Sequence, residues 1–509
     1  MKILQTILLI VCSIIITDGL KILSVFSYCA HSHYTLGYRL SKELADRGHE
    51  VTYVNCYPNQ QQVKNLKEIS VAAVKKPLTE WTAQLKDFGE LSYLSQLEWI
   101  KNLGNFYTSK VFQTKGVKDL MNSNEEFDLV LLEHFVNDAM TIFHHRFKCP
   151  LVFLVPVPPA TLNNYLVGNE APPSFVPNLL TDFDPKMTFW QRLQNTYLYY
   201  AGELFVHFRL LPDQNSLLKE HFPDAPDLST ILYNASMVLS LSHSSLSDPV
   251  PLQPNTKPIA GYHVSPTKPL PKDIKKFLDE AEDGVVLFSM GSNLKSANFE
   301  PKKRKAILQA FSKIKQKVLW KFETDLPEKP NNVMIMDWLP QADVLAHPNV
   351  VAFISHGGLL GTIEAVHHGV PIFGIPVFWD QMKNIEDATR KGFAVRLDLK
   401  HLDEESFDKT LNEILDNPSY RKNAKERSKV MQDQPVHQLD EAVFWIEYVV
   451  RHNGAPHLKS VAATLPWYKR YSVDIIAFIS LNIGVILLFI RFVVKLLKGG
   501  KPGNKLKKK

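Results

Sequence analysis

Two short stretches of this 509-residue chain hold residues whose types and spacing could do chemistry. In the first, the apolar run Val350 to Ser355 delivers His356-Gly357-Gly358 to a helical pattern that continues through Glu364 to His368. A strand that hands the chain to a helix through glycines leaves free N–H groups and the positive helix end facing outward. Both attract phosphate, and glycine lets it approach the backbone. His356 can add a side-chain donor to the same anion. In the second stretch the loop after the first strand reads Cys29-Ala30-His31-Ser32-His33-Tyr34. An imidazole there could take a proton near neutral pH, provided a carboxylate orients it and stabilises its charged form.

The elements that must position these residues form two α/β halves. Lys21 to Ser27 is a short buried-strand run; Leu36, Leu40 and Leu44 then recur at helical spacing until Arg47-Gly48, and His49 to Cys56 resumes strand character. Strand, helix, strand with a glycine stop is a βαβ unit. Further strands are expected at Phe127 to Leu132, before a helical stretch from Asn137, and at Leu151 to Val157. The stretch from 171 to 226 is aromatic and interrupted by prolines, and reads as an irregular pocket wall. A proline-rich linker around Tyr262 to Pro271 marks a boundary. Beyond it, helix Lys272 to Glu282 leads to strands at Gly284 to Ser289, Val318 to Phe322, Val333 to Met336, Val350 to Ser355 and Ile372 to Val377. Two doubly wound halves place a ligand outside the carboxyl ends of their strands.

With 45% hydrophobic and 22% charged residues, the chain has the composition of a folded protein rather than a disordered one. Its net charge of +6 is concentrated after Asp474, where Arg491, Lys495, Lys498, Lys501, Lys505, Lys507, Lys508 and Lys509 meet no acid. The remainder is slightly acidic, which argues against a nucleic-acid partner. Residues 1–19 read as a cleaved secretory signal. Residues 471–494, with Ile475 to Ile490 almost wholly apolar, read as a transmembrane helix, and 495–509 as a basic cytosolic tail. The body is then lumenal and the topology type I. Lys505 and Lys507 stand where a dilysine endoplasmic-reticulum retrieval signal would have them. Cysteines are few (Cys29, Cys56 and Cys149 after the signal), so no disulfide framework and no CxxC metal spacing is expected. Asn234-Ala235-Ser236 is a glycosylation acceptor.

The segment Asp337 to Asn384, DWLPQADVLAHPNVVAFISHGGLLGTIEAVHHGVPIFGIPVFWDQMKN, resembles the signature of the UDP-glycosyltransferases, most closely their insect members, and weaker similarity runs from the signal to the tail. The resemblance implies two facing Rossmann-like domains of the GT-B type, an acceptor-binding one at 20–265 and a donor-binding one at 266–435. A return helix and connector at 436–470 lead to the membrane span. It implies inverting transfer of a hexose from a UDP-sugar to a hydroxyl of a small lipophilic acceptor, as in detoxification, with no metal or other cofactor.

Carried over residue by residue, the resemblance stacks uracil on Trp338, sets Gln341 on the nucleoside, and gives the ribose hydroxyls to Glu364. Diphosphate falls to Ser292, His356, Gly357, Gly358, Gly361 and Thr362, and the sugar hydroxyls to Asp380 and Gln381. Relatives carry Asn where this chain has Leu360, so Thr362 or backbone donors must compensate. The catalytic base falls on His33, with His31 as a structural or solvent-facing neighbour. The orienting carboxylate falls on Glu133, with Asp138 as the alternative. Glucose is favoured over glucuronic acid because no basic residue adjoins Asp380-Gln381, although Lys383 is near. Asp182-Phe183-Asp184 resembles a metal-binding DxD but lies in a loop, and a homo-oligomer is left open.

Overall fold

The computed structural model describes residues 19–59, 61–84, 88–292 and 294–499; the secretory signal expected up to residue 19 falls outside them through residue 18, as does the expected basic tail from residue 500, with Lys505 and Lys507. Seven strands, β1 (Lys21–Phe26), β2 (Glu50–Asn55), β3 (Leu66–Ser70), β4 (Leu129–Glu133), β5 (Leu151–Val155), β6 (Met237–Ser240) and β7 (Thr256–Pro258), make a first sheet in the order β3-β2-β1-β4-β5-β6-β7. Six more, β8 (Val285–Ser289), β9 (Lys317–Lys321), β10 (Val333–Met336), β11 (Val350–Ser355), β12 (Ile372–Gly374) and β13 (Ala394–Arg396), make a second in the order β10-β9-β8-β11-β12-β13. All of these strand pairs are parallel. The central strands are buried along nearly their whole length, as parallel strands covered on both faces must be.

Each sheet reverses its winding once, between β1 and β4 in the first and between β8 and β11 in the second. At such a point the connections leave the sheet on opposite faces and open a crevice at the carboxyl ends of the two strands. The helices include α1 (His31–Asp46), α2 (Phe189–Phe205), α3 (Leu359–His368), α4 (Gln381–Arg390), α5 (Gln438–Arg451) and α6 (Val473–Gly499). Helix α1 follows β1 across four residues, Ser27 to Ala30, and α3 follows β11 across three, His356 to Gly358.

One cluster of buried apolar side chains joins the halves, running from Ile22, Leu36 and Leu40 through Tyr262 to Ile363 and Ile385. Helix α5 adds Leu439, Val443, Ile446 and Val449 to it. It is fixed at its rim by Asp440 against Arg47, by Glu447 against His49 Nε2 at 3.2 Å, and by Trp445 beneath the Lys257 ammonium at 4.0 Å. The described residues through Lys459 form one compact body and those from Ser460 a second. In the second, Val473–Lys498 is long and apolar enough to cross a membrane, with mean hydropathy 2.6.

Two expectations change. The stretch from 171 to 226 is largely helical: α2 begins with a Thr188–Gln191 capping box and passes through one wide turn, Val206–Leu210, into the helix Leu211–His221. Pro212 sits in the first turn of that last helix, where a missing N–H does no harm. The sparse cysteines do form one link, Cys29 to Cys56, which ties the segment before α1 to the end of β2.

Candidate active site

His33 lies in the first turn of α1, and its Nδ1 is 2.7 Å from Glu133 Oε1. Glu133 is the last residue of β4 and is buried. A carboxylate accepts, so Nδ1–H donates and the Nε2 lone pair is left for a proton. Tyr28 and Phe135 flank the imidazole, with ring centroids 4.7 and 4.9 Å away.

The segment after β4 is held tightly. Val136 adopts φ +59°, a strained conformation for a β-branched residue. Tyr107 Oη donates to Phe135 O at 2.8 Å, Gln214 Nε2 to Val136 O at 3.2 Å, and Asn137 Nδ2 to Glu133 O at 2.9 Å. Gly104 lets a helix press against this backbone: a Cβ there would lie 2.1 Å from Val136 O.

Asp138 has a different setting. It is fully buried and accepts from His134 Nε2 at 3.1 Å and Tyr165 Oη at 2.6 Å. It belongs to an interior polar network and makes no bond to His33. His31, expected to be structural or solvent-facing, packs its ring at 4.8 Å edge to face against Trp338 of the second half. Burial lowers its pKa from the usual histidine value, aided by the charge of Lys75.

In the second half the His356 ring fills the gap between two glycines. A Cβ on Gly291 would lie 2.6 Å from it and one on Gly358 2.5 Å. Gly291 and Gly357, both at φ +80°, have conformations that side chains rarely take. Burial lowers the His356 pKa to about 4, so the ring is neutral and keeps one N–H, and Nδ1 has no partner among the described residues. Trp338 is half-exposed, with the Lys321 ammonium 6.0 Å from its ring centre. Gln341 Nε2 donates to Glu364 Oε2 at 2.7 Å across Gly361, where a Cβ would meet Gln341 at 3.2 Å. Burial lifts the Glu364 pKa to about 7, opposed by that hydrogen bond.

Several assigned side chains are committed elsewhere. Thr362 is buried and donates its hydroxyl proton to Gly358 O at 3.1 Å, so backbone groups must do what Leu360 cannot. Gln381 spends its carbonyl oxygen on the Val377 and Phe378 N–H groups, at 2.9 and 3.1 Å, shaping the loop rather than presenting that oxygen to a ligand. Ser292 is exposed in the turn after β8, and Asn234 is exposed with Oδ1 3.2 Å from Lys459 Nζ. Asp182 and Asp184 face Arg396 and Arg390, at 3.8 and 3.3 Å. Among the described residues no cluster of three metal-binding side chains occurs.

Asp380 immediately precedes α4, and its side chain makes no capping hydrogen bond to that helix. Burial raises its pKa, countered by the Asn384 amide and by the positive charge that His33 can carry. Asp380 of the second half is thus within electrostatic reach of the His33 imidazole of the first. Asn384, not singled out from the sequence, donates to Asp380 Oδ2 at 2.7 Å and to Gly357 O at 3.0 Å. Its signal was available as the i, i+4 spacing from Asp380 on one helix face.

The family model for "UDP-glucoronosyl and UDP-glucosyl transferase" matches residues 20–502. The chain belongs to the UDP-glycosyltransferase family. Among its relatives, UDP-glycosyltransferase UGT5 of Dactylopius coccus is 38% identical over 94% of this chain and 92% of its own length. UDP-glucosyltransferase 2 of the same insect is 35% identical over 94% of each, and UDP-glucuronosyltransferase 2B14 of Oryctolagus cuniculus 35% identical over 86% of each. Similar solved structures include the calicheamicin glycosyltransferase CalG4, with TM-score 0.59 and 18% identity over 85% of this chain and 99% of that one. UDP-glucose:anthocyanidin 3-O-glucosyltransferase in complex with UDP gives 0.57 and 16% over the same shares. The two parallel sheets are therefore those of a GT-B glycosyltransferase, and the chain is a UDP-sugar-dependent transferase of that family.

The two carboxylates near His33 are separable. Glu133→Gln is expected to lower kcat by about 10²- to 10⁴-fold, since an amide cannot stabilise the imidazolium. Asp138→Asn is expected instead to lower the thermal unfolding temperature, by leaving the His134–Tyr165 network mismatched, while kcat stays near wild type. Equal kcat losses in both variants would contradict the assignment.

Proposed function

We propose that this protein transfers a hexose, glucose by preference, from a UDP-sugar to a hydroxyl of a small lipophilic acceptor with inversion at the anomeric carbon. The observation that carries the proposal is the His33–Glu133 pair, which leaves Nε2 of the imidazole free to take a proton. His33 Nε2 takes the acceptor proton as the acceptor oxygen attacks the anomeric carbon. The bond from that carbon to the diphosphate oxygen breaks, and UDP leaves with the electron pair. Glu133 stabilises the imidazolium, which later loses its proton to solvent. The start of α3 and the His356 N–H meet the charge gained by UDP, so the scheme draws on no metal. Uracil lies on the exposed face of Trp338, and the ribose hydroxyls donate to Glu364.

Glucose is preferred because the cations beside the sugar site are already paired. Lys383 pairs with Asp387, Arg390 with Asp248 and Asp387, and Lys391 with Asp248 at 3.0 Å. A glucuronate carboxylate would have to displace one of these acids. Glucuronosyl transfer is the second reading, favoured by the mammalian relatives named for it. The acceptor class follows from the rings around His33, which offer apolar surface and no charge of their own. We place the enzyme in the endoplasmic-reticulum membrane as a single-pass type I protein, signal removed and Asn234 glycosylated, acting on lipophilic alcohols and phenols in detoxification.

Microsomes carrying the protein, given a panel of UDP-sugars and a simple phenol, are expected to form the glucoside fastest. His33→Ala is expected to reduce that rate by about 10²-fold or more. Undiminished transfer in the variant would remove His33 as base, and a faster rate with UDP-glucuronate would replace glucose as donor. A second expectation concerns pH. With the empty-site Glu364 pKa at about 7, UDP-glucose must bind the ionised form to be held by both ribose hydroxyls. Affinity measured by calorimetry should fall about tenfold from pH 8 to pH 6, and Glu364→Gln should flatten the profile. A flat profile in wild type would contradict the ribose role.

A further inference from the structure

Trp379 stands between Phe378 and Asp380 in the loop that leads into α4, with φ +62°. A bulky side chain in the left-handed region is unfavourable, and it persists only where surrounding contacts hold it. Those contacts all lie in the first half of the chain. The indole stacks on Phe88 at 5.2 Å with the rings 5° from parallel, stacks on Phe135 at 5.8 Å and 25°, and meets Trp99 edge to face at 5.4 Å. It packs against two apolar clusters whose buried residues come only from the first half, as Phe378 does against one of them.

The same Phe135 ring lies 4.9 Å from His33. An acceptor whose hydroxyl reaches His33 Nε2 therefore lays its body along the surface that Phe135 and Trp379 share. The next residue, Asp380, accepts instead from Asn384 of its own half, at 2.7 Å. We propose that Trp379 is a specificity-determining residue for the acceptor: a wall of the acceptor site supplied by the donor half, selecting planar aromatic acceptors by stacking. This rests on the reading of His33 as the base.

A clamp that merely held the halves together would weaken turnover of every acceptor alike. A stacking wall discriminates between them, because a flat ring system gains from the aromatic surface that Trp379 and Phe135 share and a short aliphatic alcohol does not. Glycine takes φ +62° without strain, so Trp379→Gly removes the ring and leaves the backbone its conformation.

The experiment compares kcat/KM for a polycyclic phenol and for a short-chain alcohol in wild type, Trp379→Gly, Trp379→Leu and Trp379→Phe, all as full-length protein in microsomes. UDP binding by each variant serves as the check of folding. The ratio of phenol to alcohol is expected to fall roughly tenfold to a hundredfold in the glycine and leucine variants, and to recover in the phenylalanine variant. Its KM for the phenol should carry most of the change. An unaltered ratio, or an equal loss of kcat with both acceptors at unchanged acceptor KM, would overturn the proposal. His33→Ala run in parallel keeps the two readings apart: retained transfer there sinks the base, whereas an inactive His33→Ala beside an unaltered Trp379→Gly ratio sinks only the wall.

Discussion

The 2.7 Å hydrogen bond from His33 Nδ1 to Glu133 joins residues a hundred positions apart in the chain, and the fold is what makes them neighbours. Strands β1 and β4 lie side by side in parallel register, Val25 opposite Leu132, so the helix that follows β1 and the last residue of β4 meet at the same crevice. A carboxylate as deeply buried as Glu133 is tolerable only with a hydrogen-bonded partner. The strained Val136 loop, the Tyr107 and Gln214 bonds and the close approach at Gly104 all serve to hold that carboxylate and Phe135 in place. Preorganised geometry of this kind is what a general base requires, since a misplacement of about 1 Å can lower rate by about a hundredfold.

The second sheet repeats the arrangement with a different purpose. At its own reversal, between β8 and β11, Gly291 and Gly358 leave room for the neutral His356 ring, and Gly357 lets Ile385 of α4 pack against the turn. Asn384 then ties this turn to Asp380, so the groups assigned to the diphosphate and to the sugar move as one. The two crevices are kept in a single body by the shared apolar cluster and by α5. Ion pairs add to this, with Asp248 and Asp184 of the first half paired to Arg390 of the second. Trp379 carries the loop before α4 into the first half.

Much of this was legible in the sequence because local pattern and chemistry coincide there. Buried parallel strands read as apolar runs, and the glycines after β11 announce a close approach whatever the family. The strands β3, β6, β7 and β13 were not read. They are three to five residues long, too short for a period to show, and two of them, β3 and β7, are the edge strands of the first sheet, with partly exposed residues. Helix α2 was hidden by Phe189, Trp190, Leu193 and Tyr197, exposed rings and chains that blur the usual apolar stripe. Chain position alone could not decide between Glu133 and Asp138, because a strand end and the following turn differ by a few residues. Only the direction of each side chain separates them. The commitments of Thr362 and Gln381 to backbone partners are likewise tertiary facts, invisible at the level of a motif.

The central claim is that one imidazole, oriented by Glu133, drives a single displacement at the sugar's anomeric carbon. The stereochemistry of the product tests this most directly, read from the anomeric proton coupling in the NMR spectrum of a glycoside formed from UDP-α-glucose. A single displacement gives the β-glycoside. An α-linked product would require either two displacements or front-side attack, and would contradict the role given to His33 and Glu133.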